Sequence, residues 1–316
     1  QGPCAGLAPC EGYTKKILKG GSWYWPAETL RGSWRRPEML NTGTHRLSFR
    51  CASSTPYLTG YPPLVVSNPL PQPPLPKPLS ESERQAINAI PTDSLEAIKP
   101  CGKSGRAFLD CKDPTHYIRS NEPEIALFAP YIKNLGGGYA GVASDQNYSF
   151  IAEARSTHAW VFDYDIVVVW THLLERAVVL ASDTPKTFVE AFKGDAAAKA
   201  FVRQAVEKAF ADEGERARAL EIYEVYRPKL YPYFQAQLND SPSSPGFGWL
   251  AFDENYRYIK LLFEQGRLVI LKGDLLKART LTNIGATARK LGIPIRIYYP
   301  SNAPECWPLT TQYRTN

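Results

Sequence analysis

The chain is poor in the fingerprints that mark common enzyme classes. It has no G-x-x-x-x-G-K-[S/T] loop, which excludes a P-loop nucleotide hydrolase. It has no G-x-S-x-G element, which excludes a serine hydrolase built on that strained turn. Histidine is scarce: His45, His116, His158 and His172 are scattered, with no H-x-x-x-H pair. The six cysteines form no C-x-x-C pair, so neither residue type supplies a zinc site and no metal is expected. No apolar run approaches the roughly 18 residues of a membrane-spanning helix. No nucleic-acid-binding module is recognisable, so the net charge of +6 calls for another reading.

That charge is concentrated at one end. Residues 1–55 hold eight Lys/Arg (Lys15, Lys16, Lys19, Arg31, Arg35, Arg36, Arg46, Arg50) against Glu11, Glu28 and Glu38, a balance of +5. A basic arm of this kind faces solvent, or meets an acidic partner or membrane surface. Five of the six cysteines (Cys4, Cys10, Cys51, Cys101, Cys111) fall in the first 111 residues, and Cys306 is alone near the other end. Disulfides in an oxidising compartment account for them better than a reactive thiol does. Cys4–Cys10, Cys101–Cys111 and Cys51–Cys306 form one of the fifteen pairings open to six cysteines. The sequence begins at Gln1 rather than Met, which is read as the trace of a removed signal peptide or of trimming. A periplasmic or extracellular location is the expectation that follows.

A length of 316 residues suits one large or two modest domains. Residues 1–55 are the first unit. Within them Gly20-Gly21-Ser22-Trp23, an arginine-rich stretch with Arg31 and Arg35, and Leu47-Ser48-Phe49-Arg50-Cys51-Ala52 follow one another. This run, residues 16–52, resembles the C-terminal end of the formylglycine-generating enzyme (sulfatase-modifying factor) family. That family carries copper-binding cysteines between its two terminal elements, and this interval has none. The resemblance therefore implies a structural remnant, not that activity. Residues 56–79 hold nine prolines between Pro56 and Pro78 and are expected to form an extended polyproline-II linker. A P-x-x-P pattern is present, but a strap held on its own domain or on a partner is the preferred account.

Residues 80–316 form the α/β body. Ser80-Glu81-Ser82-Glu83 has the polar cap and first-turn acids of a helix start, and Ile87, Ile90, Leu95 and Ile98 are spaced for one buried face. Ser120-Asn121-Glu122-Pro123 is expected to cap a helix reaching Asn134. Tyr139–Asp165 has the pattern strand, polar turn, helix, strand: Tyr139–Ala143, then Ser144-Asp145-Gln146-Asn147, a helix from about Tyr148 to Ser156, and Ala159–Phe162 running into Asp163 and Asp165. A helix is expected over 166–181. A helical lobe should follow at about 184–238, then a helix over 252–265, a strand over 267–271, a helix over 281–291 and a last strand over 295–299. Alternating strands and helices point to a doubly wound, mainly parallel sheet with a helical insertion and an irregular, disulfide-containing N-terminal extension.

In such a sheet, ligands bind beyond the carboxyl ends of the strands. Four strand ends run into polar or acidic residues: Ser144–Asn147; Asp163 and Asp165; Gly273-Asp274; and Ser301-Asn302 with Glu305. Asp163 and Asp165 lie where a Rossmann-type domain puts its ribose-binding carboxylate, roughly 20 residues past the first turn. Gly136, Gly137, Gly138 and Gly141 lie before and inside the first strand, so the turn itself has no glycine and suits a pyrophosphate poorly. A ligand without phosphates asks less of it. Asp274 serves equally well as a turn cap, His172 as a satisfied core histidine, and the tyrosines of Tyr223–Phe234 as packing between lobe and sheet.

The G-V-x-x-x-Q-N-Y…I-A…D-Y-D core of residues 141–165 resembles the S-adenosylmethionine-dependent methyltransferase-like Rossmann fold, and a bacterial group with that fold more closely, over about residues 117–316. The resemblance implies Gly141 and Gln146 on the methionine side of the ligand and Asp163 or Asp165 at its ribose. Asn147 would help to orient it, and Asp274 or Asn302 would face the substrate. Two functions stay open. One is an exported, non-catalytic subunit or binding module that docks through its basic arm and proline strap. The other is an S-adenosylmethionine-dependent methyltransferase acting on a small molecule.

Overall fold

The computed structural model describes residues 15–19, 35–39, 70–95, 116–122, 125–239, 247–301 and 311–315. The chain divides into two compact units, Gln1–Leu64 with Asn302–Thr311, and Val65–Ser301 with Gln312–Asn316. In the first, β1 (Lys15–Lys19) pairs antiparallel with β2 (Arg35–Met39), Lys15 opposite Met39 and Lys19 opposite Arg35. All six cysteines, Asn302 and Glu305 lie outside the described residues.

The second unit is an α/β domain around a four-stranded sheet, β3 (Gly138–Gly141), β4 (His158–Asp163), β5 (Leu268–Lys272) and β6 (Ile295–Tyr299). Every pairing is parallel and the spatial order is β5-β4-β3-β6. β4 is central, and all six of its residues, HAWVFD, are buried, as expected for a parallel strand covered on both faces. The chain moves one way from β3 to β5, then returns to the far side of β3 for β6. The order therefore reverses between β3 and β6, and that is the switch point where open α/β sheets form a crevice.

Local chemistry explains the connecting elements. α1 (Glu81–Asn88) starts with a capping box: the Glu83 amide bonds the Ser80 hydroxyl, and the Ser80 amide bonds the Glu83 carboxylate. It ends at Asn88, before the expected stripe reaches Leu95, because Pro91 disfavours helix in the residue before it and offers no N–H. Residues 125–132 form a 3-10 turn, Ile125–Phe128, and a single helical turn, α2 (Ala129–Ile132), in place of one continuous helix. α3 (Gln146–Ala154) begins two residues earlier than its apolar pattern suggested and stops at Arg155, whose backbone is left-handed. α4 (Ile166–Ala181) is capped by the Asp165 carboxylate on the Val167 amide at 2.8 Å.

The helical lobe comprises α5 (Pro185–Ala191), α6 (Ala196–Ala209) and α7 (Glu213–Asn239). Thr184 and Asp195 cap the first two. The tyrosines of α7 pack and bond inward: Tyr223 donates to the Ala191 carbonyl at 2.8 Å, and Tyr226 is buried. α8 (Asp253–Glu264) leads into β5, and α9 (Thr280–Lys290) crosses to β6. Tyr139, Ala159, Val161 and Leu268 join one core with residues of α3, α4, α8 and the lobe. The alternate residues Ala140, Trp160 and Phe162 point to the other face, where Phe162 and Thr280 close around Gly273.

The proline strap is seen from Leu70. Its burial recurs at every third residue, with Pro73 and Pro76 half-buried and Leu79 buried, which is the period of polyproline II. Its carbonyls are pinned: Leu70 by Asn134 at 2.7 Å, Pro76 by Gln265 at 3.1 Å and Lys77 by both Nε and Nη2 of Arg267. A groove of about 620 Å³ opens beside it, lined by Gln72 and Leu75 together with Glu254, Arg257 and Lys260.

Candidate functional site

The two strands that flank the switch point end in strain. Ala143, just past β3, has φ +71°, and Ser301, just past β6, has φ +55°. Side chains other than glycine or asparagine rarely adopt this region, and such strain concentrates at binding sites and switches. Ala143 is clamped from both sides. Its N–H donates to Asp163 Oδ2 at 2.9 Å, and its carbonyl accepts from His172 Nε2 at 2.7 Å.

This clamp accounts for Asp163. Its second oxygen accepts from the Asp165 amide at 2.8 Å, so both oxygens hold backbone. Burial pushes its carboxyl up to about 6, against those two donors. Asp165, besides capping α4, meets His116 Nδ1 at 2.7 Å. Asn147 is fully buried: its amide donates to the carbonyls of Val142 and Ser144, and its oxygen accepts from Tyr139. Gln146 is buried and takes the Ser144 hydroxyl at 2.5 Å. Gly141 lacks a side chain because the Tyr139 ring and the Asn147 amide occupy the space a Cβ would need. Asp274 caps its own turn through the Leu276 amide at 2.9 Å.

Four further acidic residues join this network, and of them the sequence pattern singled out only Asp145, as part of the polar turn. Asp145, inside the polar turn, is fully buried and accepts from Tyr233 at 2.8 Å, Gln237 at 2.8 Å and Trp249 Nε1 at 3.0 Å. Burial raises its pKa in spite of these donors. Asp93 reaches the start of α9, where it accepts from the amides of Asp274, Arg279 and Thr280. Burial would raise its pKa, but those bonds and the Thr280 hydroxyl outweigh it and hold the carboxyl below the usual range. Glu122 accepts from the hydroxyls of Tyr299 and Ser301 at the switch point. Glu175 lies inside α4, 3.3 Å from His172 Nδ1, which in turn is 2.6 Å from the Tyr148 hydroxyl. Asp145, Asp93 and Glu122 carry no local signal, because their partners lie far off in sequence; Glu175 has a local partner in His172, three residues before it.

Segment 116–122 thus spans the carboxyl edge of the sheet. His116 holds Asp165, Ile118 is in the core, the Ser120 amide donates to Tyr233 and Glu122 meets β6. His172 is the satisfied core histidine that its apolar helix face suggested. Among the described residues, no group of three or more His, Cys, Asp or Glu is gathered to hold a metal ion. No helix of the described residues is long and apolar enough to cross a membrane.

Adenosyl-ligand recognition needs an available carboxylate after the second strand and a turn that lets the ligand approach. Here Asp163 is engaged by two amides, and the turn is closed by a Cβ-bearing, clamped Ala143. As arranged, these residues do not fit S-adenosylmethionine.

The buried acids make stability depend on pH. Burial lifts Glu175 to about 7. His172 is raised because Glu175 outweighs the opposite effect of its own burial. Raised folded-state values give stability that is present at low pH and lost as pH rises through them. His158 works the other way below pH 6.5, since burial and Arg267 hold it down to about 4. Between pH 8 and 6.5 the protein should therefore gain about 1 kcal/mol. Glu175→Gln should flatten that slope in urea denaturation; an unchanged slope would place the titration elsewhere.

Fold and site together define an α/β protein with an all-parallel four-stranded sheet whose polar strand-end residues bond one another and the backbone. The chain belongs to the family described as Domain of unknown function (DUF7790), whose family model matches residues 117–316. A search of curated proteins finds no match to the chain.

Proposed function

We propose that this is an exported, non-catalytic protein on a Rossmann-like, methyltransferase-type scaffold, acting as a subunit or binding module. The observation that carries the reading is Asp163. The carboxylate placed for a ribose holds the amides of Ala143 and Asp165 instead. The strand order supports the scaffold assignment, since counted within the sheet it is 3-2-1-4, half of a doubly wound fold. The six cysteines of the sequence support export, as three disulfides. The ordered strap and the basic arm of residues 1–55 are the docking elements in this reading, and the sulfatase-modifying-factor-like segment within the arm is a structural remnant.

Calorimetry separates this reading from a small-molecule methyltransferase. S-Adenosylmethionine and S-adenosylhomocysteine at millimolar concentration should give no heat of binding. Purification from the native source should bring down partners in stoichiometric amount. Saturable binding of either ligand would overturn the non-catalytic reading.

A further inference from the structure

Glu122 sits where a ligand would. Its carboxylate lies between the end of β6 and the turn after β3, accepting from the Tyr299 and Ser301 hydroxyls. Gln146, the first residue of α3, is in hydrogen-bond contact with the same Tyr299. Tyr299 is raised by burial and then by the adjacent Glu122, which keeps its hydroxyl protonated as a donor. The backbone at Ser301, whose hydroxyl Glu122 accepts from, is left-handed, as is that of Ala143 past the neighbouring β3. Convergent hydroxyl donors, an amide and strained backbone at a topological switch point are the parts of a small-anion site. The anion on it belongs to the chain.

We propose that the crevice between β3 and β6 is a carboxylate-binding site, held closed by the protein's own Glu122, and that a carboxylate ligand displaces it and releases segment 116–122. The geometry names the ligand's chemistry. Tyr299 and Ser301 offer neutral hydroxyls, which suit a planar carboxylate. Segment 116–122 carries Glu122 and is anchored beside it by His116 on Asp165 and edge-on to Tyr226, by Ile118 in the core and by the Ser120 amide on Tyr233, so displacing Glu122 loosens the end next to Ser120.

The inference deepens the binding-module reading and rests on it. Stoichiometric partners would still co-purify if no carboxylate bound, so the two fail separately. The test is chemical rescue with acetate. Glu122→Ala should melt at a lower temperature than the parent protein. Acetate at about 100 mM should return about 2–4 °C in a saturable way, and sodium chloride of equal ionic strength should not. Adding Tyr299→Phe and Ser301→Ala should abolish the acetate effect. In the unsubstituted protein, molar acetate should speed amide hydrogen exchange at Ser120 and Glu122 and leave β4 protected. If Glu122→Ala does not fold, the exchange of the parent protein in molar acetate against molar sodium chloride carries the test alone. Acetate no better than chloride on the folded variant, with no change in exchange in the parent, overturns the proposal.

Discussion

Trp249→Ala is expected to destabilise the protein by about 5 kcal/mol, which is comparable with the whole stability of a modest domain. Trp249 is fully buried. Its ring meets Tyr148 and Phe188 edge-on at 5.0 Å and stacks on Tyr256 at 6.0 Å. Removing it opens a cavity where helices α3, α5 and α8 meet, at about 3–5 kcal/mol. It also removes one of three donors from the buried Asp145 carboxylate, at about 1–3 kcal/mol. Trp249→Phe isolates the second effect, since it keeps most of the packing and should cost about 2 kcal/mol. Urea denaturation of the two variants decides between them. Equal losses would mean that the hydrogen bond, and not the ring, holds this core. Asp145→Asn would turn an amide donor towards donors that the carboxylate now satisfies. Its cost and that of Trp249→Phe should combine less than additively, because both break one network.

Gly141→Ala should cost about 3 kcal/mol through overpacking. An added Cβ would meet the Tyr139 ring and the Asn147 oxygen, which are themselves bonded at 2.6 Å. Neither can retreat: Tyr139 is fully buried, and Asn147 holds two carbonyls of the turn. The clash would therefore be passed to the β3–α3 turn and to Ala143. The expected readout is a lower urea midpoint with an unchanged slope. A variant as stable as the parent would show that the strand end has slack and would return Gly141 to the role of a ligand-facing residue.

These two positions show how differently local and distant information acted in this chain. The bounds of α4 and β6 follow residue for residue from the sequence. A capping aspartate at 165 and an apolar stripe through Trp170, Leu173, Leu174, Ala177 and Leu180 decide the first, and the short β-branched and aromatic run IRIYY after Pro294 decides the second. Helical periodicity likewise gives helices between 185 and 239, and proline content gives the three-residue period over 70–79; the strap expected over 56–69 lies outside the described residues. The helix expected to run past Ile90 ends at Asn88, because Pro91 decides the backbone there against the local stripe of apolar residues.

Ser144–Asn147, Asp163, Asp165 and Asp274 lie past the carboxyl ends of their strands, but the partners of the acidic network are not written locally. Asp145 takes its donors from residues 88 to 104 positions away, and Glu122 meets Tyr299 and Ser301 at separations of 177 and 179. Asp93 meets Asp274 and the start of α9 from 181 to 187 positions away.

By itself, then, the sequence determined the α/β class, the order of strands and helices, and the carboxyl-end position of the polar residues. Periodicity, caps and prolines act within a turn or two of the chain. Only the tertiary structure decided that those residues bond one another, that Ala143 is clamped by Asp163 and His172, and that Glu122 fills the switch point. A buried polar group must find a partner wherever the fold brings one within 3 Å, and that distance is set by packing, not by spacing along the chain.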